Sequence, residues 1–146
     1  MTARKNVKGG VMALMNWESK FSVKIKEIDD QHKKLFDLIN SLHDAMKAGK
    51  GKDALGKVLT ELVDYTVYHF GTEEKLFQKY GYPETAAHKK EHEALKKQAG
   101  ELKTKFEKEG GVITIEVMNF LRDWLNNHIL KIDMKYSPFL NSKGVL

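Results

Sequence analysis

The 146-residue sequence contains no cysteine. Disulfide bridges, zinc fingers and thiolate-held clusters all need cysteine sulfur, so none of them stabilises this chain. Any metal site must therefore depend on histidine and carboxylate side chains, and six histidines are present. The absence of cysteine gives no indication of compartment, because the residue that reports on the redox environment is missing.

Arginine and long apolar runs are also scarce. Only Arg4 and Arg122 are arginines among the 25 basic side chains, which outnumber the 20 acidic ones and give a net charge of +5. Nucleic-acid sites usually combine clustered charge with arginine, whereas these lysines are spread among acids. No apolar run approaches the ~18 residues that span a bilayer, and the apolar stretch near the N-terminus is too short for a signal-peptide core. We expect a cytoplasmic protein that binds no nucleic acid and is not an integral membrane protein.

The sequence has only two prolines, and its glycines concentrate where the helical pattern lapses. Between these breaks, apolar residues at helical spacing predict four helices, at about 29–48, 53–80, 84–108 and 114–131. Short links make neighbouring helices antiparallel, which predicts an all-α, up-down-up-down four-helix bundle followed by a short C-terminal segment.

The chain before the first predicted helix divides into two parts. Residues 17–28 alternate in polarity but have no partner strand, so we expect an extended N-terminal arm packed along the bundle. Residues 1–16 are predicted to be an N-terminal extension, either disordered or not native to the protein, and residues 17–146 to form the domain.

Some local features of the helices can also be predicted. Asp29 or Asp30 is expected to cap the first helix, and Thr114 the fourth, because short polar side chains accept hydrogen bonds from the first backbone N–H groups. Phe120 and Leu121 are expected on the inward-facing side of the fourth helix.

Two pairs of metal-ligand residue types recur at a spacing of four residues. His69 and Glu73 would lie one turn apart on the second helix, and His88 and His92 repeat the arrangement on the third. Either pair alone is a weak signal, because such pairs are common on helix surfaces. Both pairs lie on inward-facing stripes, however, where an unpartnered polar group costs about 1 to 3 kcal/mol. A shared metal ion would satisfy all four side chains.

The fourth helix adds His128, with Asp133 five residues later. Five residues of ideal α-helix leave ~140° between two side chains, so they would not share a face. If both bind the same centre, the helix must bulge, unwind or end between them. A surface acid at a helix end is the alternative interpretation of Asp133.

The first helix carries His32 and His43, which point in similar directions but lie ~16 Å apart along the axis. Only one of them can join the centre. His69 lies towards the end of the second helix and His88 near the start of the third, so the centre lies at the end of the bundle where those helices connect. The start of an antiparallel first helix is at that end, which selects His32.

The predicted ligands are therefore five histidines and two carboxylates. They are His32, His69, Glu73, His88, His92, His128 and Asp133. Two metal ions ~3.5 to 4 Å apart, bridged by both carboxylates and one solvent oxygen, use all seven and leave one coordination position open. Imidazole with a few carboxylates suits iron, although manganese, zinc and copper also accept these ligands.

The motifs Asp30-Gln31-His32, His69-Phe70-Gly71-Thr72-Glu73, His88-Lys89-Lys90-Glu91-His92 and the run from Trp124 to Asp133 resemble the ligand motifs of hemerythrin, in particular the single-domain bacterial form. The resemblance extends over about residues 17–140 and includes the five-residue step on the fourth helix. It implies two iron ions in a hydroxo- or oxo-bridged centre, with O2 as a reversible ligand.

The resemblance also implies roles for the ligands. His88, His92 and His128 would hold the coordinatively filled iron, His32 and His69 the open one, and Glu73 and Asp133 would bridge. Four apolar side chains within four residues of ligands are expected to wall an O2 pocket; they are Leu125, Phe70, Ile129 and Trp124. Ordinary core packing is the alternative interpretation of these four. Tyr136, near Asp133 in the sequence, would support the site by contacting a ligand, and a purely structural tyrosine is the alternative interpretation.

The resemblance implies a monomeric, non-catalytic protein that stores or transports O2 or delivers it to an oxygen-consuming enzyme. Three alternatives use some of the same residues. The sequence His88 to His92 matches the H-x-x-E-H pattern of inverted zinc proteases, with Glu91 as general base, but it leaves the other ligands unexplained. A di-iron oxidase or peroxide-handling enzyme would be expected to have a shell richer in carboxylates. Sensing of O2 or iron storage is the third alternative.

Overall fold

The computed structural model describes residues 7–8 and 11–146 and confirms the all-α four-helix bundle. The bundle helices are α1 (Lys26–Lys47), α2 (Lys52–Tyr80), α3 (Thr85–Lys108) and α4 (Ile115–Asn127). The chain continues from α4 as a π-helix (His128–Ile132) and a 3-10 turn (Asp133–Lys135), and α5 (Ser137–Ser142) follows. None of the described helices is long and apolar enough to cross a membrane.

The N-terminal arm packs against the bundle as expected. After a 3-10 turn at Ser19–Phe21, Val23 and Ile25 are buried against the end of the bundle that carries α5. The side chain of Asn40 on α1 accepts a hydrogen bond from the backbone N–H of Met15 and donates one to its carbonyl, both at 2.8 Å. This pairing ties the beginning of the arm to the middle of α1.

The structure describes the predicted N-terminal extension only in part. Val7–Lys8 and Val11–Met12 form a two-residue antiparallel strand pair that the sequence did not predict. Residues 1–6 and 9–10 lie outside the described residues, and the domain boundary at residue 17 stays a prediction.

The start of α1 differs from the prediction, which was wrong about its cap. The helix begins at Lys26, and neither Asp29 nor Asp30 is its N-cap, which is Ile25. Asp29 instead accepts the backbone N–H of Val23 at 2.9 Å, so it fixes the arm where it turns into the helix. Asp30 pairs with Lys26 on the exposed surface at 2.7 Å. The arm supplies a donor within reach of Asp29, which the local sequence pattern did not reveal.

The start of α4 confirms one prediction and contradicts another. Thr114 is the N-cap, and its hydroxyl accepts the backbone N–H of Val117 at 3.3 Å. Leu121 is buried, but Phe120 is 47% exposed rather than inward-facing. Phe120 lines an apolar groove between α2, α3 and α4. Helical spacing gives the direction of a side chain on its own helix, but the distance to the neighbouring helices decides whether that side chain is covered.

Two apolar clusters stabilise the bundle. The larger runs along its length, and the smaller covers the end at which α2 and α3 connect. In the smaller cluster, Phe77 of α2 and Tyr136 pack with their ring centroids 5.2 Å apart. Gly81 has the left-handed conformation (φ 69°) that reverses the chain between α2 and α3. This short reversal brings the end of α2 beside the start of α3, where the candidate site lies.

Candidate metal centre

All seven predicted ligands lie together at the end of the bundle where α2 and α3 connect, and none is more than 5% exposed. α1 supplies His32, α2 supplies His69 and Glu73, and α3 supplies His88 and His92. The π-helix begins with His128, and Asp133 follows it directly. The selection of His32 rather than His43 matches the geometry, because His43 belongs to neither cluster of ligand atoms in the described residues.

Glu73 is shared between two groups of histidines. Its Oε1 lies 3.0 Å from His92 Nε2 and 3.8 Å from His88 Nε2. Its Oε2 lies 3.5 Å from His69 Nε2 and 4.0 Å from His32 Nε2. One carboxylate therefore faces both groups, with a different oxygen towards each.

Asp133 divides its oxygens in the same way. Its Oδ1 lies 3.1 Å from Nε2 of both His88 and His128, and its Oδ2 lies 3.0 Å from His32 Nε2. Two clusters result, with ligand atoms within 4.8 Å of one another in each. We call the cluster of His88, His92 and His128 the three-histidine position, and that of His32 and His69 the two-histidine position. Both carboxylates belong to both positions, which is the arrangement of a bridged pair of metal ions.

The π-helix makes the contribution of Asp133 possible. The sequence predicted that the fourth helix must bulge, unwind or end between His128 and Asp133, and the chain forms a π-helix over His128–Ile132. The backbone N–H at Asp133 bonds to the carbonyl of His128, five residues earlier, so the wider turn brings both side chains to one face. The interpretation of Asp133 as a surface acid is excluded, because Asp133 is fully buried.

A chain of hydrogen bonds orients the His69 ring and selects its tautomer. Thr72 Oγ1 donates to the carbonyl of Tyr68 and accepts from Gln31 Nε2 at 3.2 Å. Because the Gln31 amide nitrogen donates to Thr72, its oxygen Oε1 is the atom that faces His69 Nδ1 at 2.7 Å. An amide oxygen can only accept, so His69 Nδ1 is the donor. If His69 is neutral, its proton is on Nδ1 and the Nε2 lone pair faces Glu73.

His92 is held in the same orientation by a different partner. Its Nδ1 donates to Glu74 Oε2 at 2.7 Å, and the Phe70 ring stacks on it with centroids 3.9 Å apart and planes at 8°. His92 Nε2 then faces Glu73 Oε1 at 3.0 Å, and in the tautomer with its proton on Nδ1 it presents a lone pair. Two facing acceptors repel each other unless a proton or a metal cation lies between them.

The unsatisfied polar atoms of the site show that a cation fits. Among the described residues, Nε2 of all five ligand histidines, both Asp133 oxygens and Glu73 Oε1 are buried without a hydrogen-bond partner. Leaving so many buried polar atoms unpaired would cost several kcal/mol at about 1 to 3 kcal/mol each. Neutral imidazole nitrogens and carboxylate oxygens are ligands for transition metals, so the residues present fit a pair of such ions.

The electrostatics of the metal-free site are consistent with this. Burial would raise the pKa of Glu73, but the nearby imidazoles, His69 first and then His88 and His92, hold it well below its usual value. Asp133 is likewise lowered, because the surrounding histidines outweigh burial and the nearby Glu73 charge. Burial opposes protonation of His88, yet the nearby carboxylates of Asp133 and Glu73 raise its pKa to about 9. In the metal-free site, a proton on His88 therefore faces these two carboxylates.

Tyr136 lies near Asp133 in the sequence and contacts the site through the other carboxylate, Glu73. Its hydroxyl donates a short hydrogen bond to Glu73 Oε2. Burial, together with the charges of Glu73 and Asp133, raises the pKa of Tyr136 well above its usual value, so it stays a donor at neutral pH. Sequence reasoning missed the supporting residues Gln31 and Glu74; their positions directly beside His32 and Glu73 were the available signal.

The four side chains predicted to wall an O2 pocket differ in burial, and whether they form such a wall stays a prediction. Leu125, Ile129 and Phe70 are buried, and Trp124 is partly buried. Phe70 contacts both His92 and the His128 ring, whose centroid is 5.7 Å from its own. In contrast, Glu91 is exposed and belongs to neither ligand cluster in the described residues, which removes the proposed base of a zinc protease.

Comparisons with known proteins agree with this geometry. Residues 23–140 match the family model of the hemerythrin HHE cation binding domain. The chain is 42% identical over 132 residues to a bacteriohemerythrin of Methylococcus capsulatus, covering 90% of this chain and 100% of that protein. It is 40% identical to a hemerythrin-like protein of Naegleria gruberi, covering 90% and 92%. A crystal structure of wild-type hemerythrin superposes with a TM-score of 0.82 at 43% identity, covering 88% and 98%.

Proposed function

The chain belongs to the hemerythrin family, and we propose that it binds O2 reversibly at a pair of iron ions held by its seven buried ligands. The observation that carries this proposal is the division of both carboxylates between unequal groups of histidines. Each of Glu73 and Asp133 turns one oxygen to the three-histidine position and the other to the two-histidine position. One position therefore has a ligand fewer than the other.

The ligands are assigned accordingly. His88, His92 and His128 would hold one iron, His32 and His69 would hold the other, and Glu73 and Asp133 would contribute to both. When bound, a pair of ferrous ions would supply the electrons on which reversible O2 binding depends. Because His32 and His69 are one ligand fewer than the other group, O2 would be accommodated on their side.

The chain itself contributes orientation and exclusion of water. Gln31 and Glu74 hold His69 and His92 with their Nε2 atoms towards the carboxylates, and Tyr136 holds Glu73. Leu125, Ile129, Phe70 and Trp124 form the apolar wall that keeps water and anions from the open position. Exclusion of water matters because solvent that reaches this position promotes irreversible oxidation of the iron pair.

A binding role is favoured over catalysis by the composition of the site. Ferritin-like di-iron enzymes use carboxylate-rich shells, whereas five of the seven predicted ligands here are imidazoles, which bind metal ions in their uncharged form. A nitrogen-rich shell stabilises the reduced pair, which favours release of O2 over oxidation of a substrate. Delivery to an oxygen-consuming enzyme, the cytoplasmic compartment and the monomeric state stay predictions from the sequence.

Anaerobic reduction followed by exposure to air tests the proposal. The expected protein contains two irons per chain, develops a visible charge-transfer band on exposure to air, and loses the band when O2 is removed. Several cycles without loss of amplitude would establish reversibility. Direct oxidation to the ferric state without such a band would contradict reversible binding.

A further inference from the structure

The two metal positions differ in the side chains behind their histidines. At the three-histidine position, His92 Nδ1 bonds to the carboxylate of Glu74 at 2.7 Å. At the two-histidine position, His69 Nδ1 bonds to the neutral amide of Gln31 at the same distance. The hydrogen bonds match in length and atom type, but only one of the two acceptors is a carboxylate.

The charge is the distinctive contribution of Glu74, because the orientation of His92 is fixed by other contacts as well. Phe70 stacks on one face of the imidazole, and the His88 ring meets it edge-on at 4.5 Å between centroids. The His92 side chain is 0% exposed and that of Glu74 is 21% exposed, so solvent screens the pair only in part. A carboxylate behind an imidazole makes its other nitrogen a stronger ligand.

Tyr136 adds a difference in the same direction. Its hydroxyl donates to Glu73 Oε2, the oxygen that faces the two-histidine position, and this bond withdraws electron density from that oxygen. Glu73 Oε1, which faces the three-histidine position, has no hydrogen-bond partner among the described residues. Oε1 of Glu73 is therefore a better ligand than Oε2, and it faces the three-histidine position, where Glu74 also acts.

We infer that Glu74 and Gln31 are positioning residues that make the two metal positions unequal, with Glu74 strengthening the three-histidine position and Gln31 leaving the two-histidine position weaker. The inference rests on the proposed function, because it presupposes that the cluster binds two metal ions. Its consequence is an order of filling: the three-histidine position takes the first divalent cation, and the position next to the open site fills last and empties first.

Titration of the metal-free chain with Co2+ tests this inference, with Glu74→Gln and Gln31→Glu as the variants. Glu74→Gln keeps a hydrogen-bond acceptor and removes the charge. Gln31→Glu adds a charge, and Thr72, whose hydroxyl can rotate to donate, is able to partner it. The wild type should bind two ions in two unequal steps. Glu74→Gln should weaken the tighter step about tenfold, whereas Gln31→Glu should tighten the weaker step.

The two variants are expected to change metal affinity in opposite directions. An effect on folding alone would weaken binding in both variants, so the signs distinguish an effect of charge from a loss of structure. Glu93→Gln is the matched control, because Glu93 is exposed on α3 and forms an ion pair with the partly exposed Lys96 at 3.5 Å. It should change neither step. If Glu74→Gln leaves the tighter step unchanged, or if both variants weaken binding, the inference is wrong although the wild type still binds two ions. A wild-type chain that binds fewer than two would contradict the proposed function itself.

Discussion

His128 Nε2 lies 3.1 Å from Asp133 Oδ1 although five residues separate the two in the chain. The π-helix over His128–Ile132 widens the turn by one residue, so both side chains reach the same side of the bundle. A π-turn is less favourable than an α-helical turn, and it persists here at the point where a buried carboxylate must join two groups of histidines.

Removal of one residue from the π-helix should therefore disrupt the metal centre. Deletion of Leu130 would let the segment return to α-helical geometry and rotate Asp133 by about 100° away from both positions. We expect fewer than two irons per chain, measured by elemental analysis of the purified protein. Leu130→Ala is the control, because Leu130 is 38% exposed and the substitution preserves the length of the segment. Two irons in the deletion variant would show that the bulge is not needed.

The assignment of His128 can be tested against His43, because both histidines are 5% exposed. His128→Ala removes a predicted ligand of the three-histidine position and should reduce the iron content. His43→Ala removes a buried side chain that lies outside both clusters, so it should keep two irons despite some loss of stability. Equal loss of iron in the two variants would contradict the assignment.

The hydrogen bond from Tyr136 to Glu73 should stabilise the protein. Tyr136→Phe keeps the ring that packs on Phe77 and His88 but leaves a buried carboxylate oxygen without its donor. We expect the free energy of unfolding to fall by about 1 to 3 kcal/mol, measured by denaturant titration. Tyr82→Phe, in the same apolar cluster, is expected to cost less. A Tyr136→Phe variant as stable as the wild type would show that the hydrogen bond to Glu73 does not stabilise the protein.

The metal-free and metal-loaded forms should respond to pH in opposite directions. Because the folded pKa of His88 is raised from 6.5 to about 9, its stabilising contribution is complete below pH 6.5 and is lost as pH rises through about 9. This loss amounts to at most about 3 kcal/mol, since one pKa unit corresponds to ~1.4 kcal/mol. The pKa values of Glu73 and Asp133 are lowered in the folded protein. Their stabilising contribution is therefore present above the usual carboxylate pKa range and is lost as the pH falls below it.

The metal-free protein is thus expected to be more stable at about pH 6 than at about pH 9. Metal binding requires neutral histidines, so the stabilisation by bound iron should increase over the same interval. Denaturant titrations of chelator-treated and iron-loaded protein at the two pH values measure both trends. Greater stability of the metal-free form at the higher pH would contradict the stabilising interaction of protonated His88 with Asp133 and Glu73.

Replacement of Leu125 should affect the lifetime of bound O2. Leu125 is 1% exposed, one turn before Ile129, and Leu125→Asn would introduce a polar group that attracts water into the proposed pocket. We expect the iron pair to oxidise severalfold faster in air. The rate is measured from the decay of the visible band. Leu121→Asn is the control, because Leu121 is buried on the same side of α4 one turn further from His128. Equal oxidation rates in the two variants would remove Leu125 from the wall.

Most of the fold and the ligand set followed from the sequence, because helical periodicity and histidine spacing are local properties of the chain. The spacing of His69 with Glu73 and of His88 with His92 placed each pair on one helix face, and the antiparallel order of the helices selected His32. Even the irregularity after His128 was predictable, since an ideal helix cannot bring Asp133 to the same face. The exposure of Phe120 and the cap of α1 were not, because they depend on the splay of neighbouring helices and on the path of the arm.

The sequence by itself determined which seven side chains form the cluster, at which end of the bundle they lie, and that the chain resembles hemerythrin. Only the tertiary structure decided how the two carboxylates divide their oxygens and which neighbours orient the histidines. Gln31 reaches His69 from another helix, and Tyr136 reaches Glu73 across 63 residues of chain. Such contacts depend on the packing of distant segments, which local spacing does not encode, and they decide which hydrogen-bond partner lies behind each of these side chains.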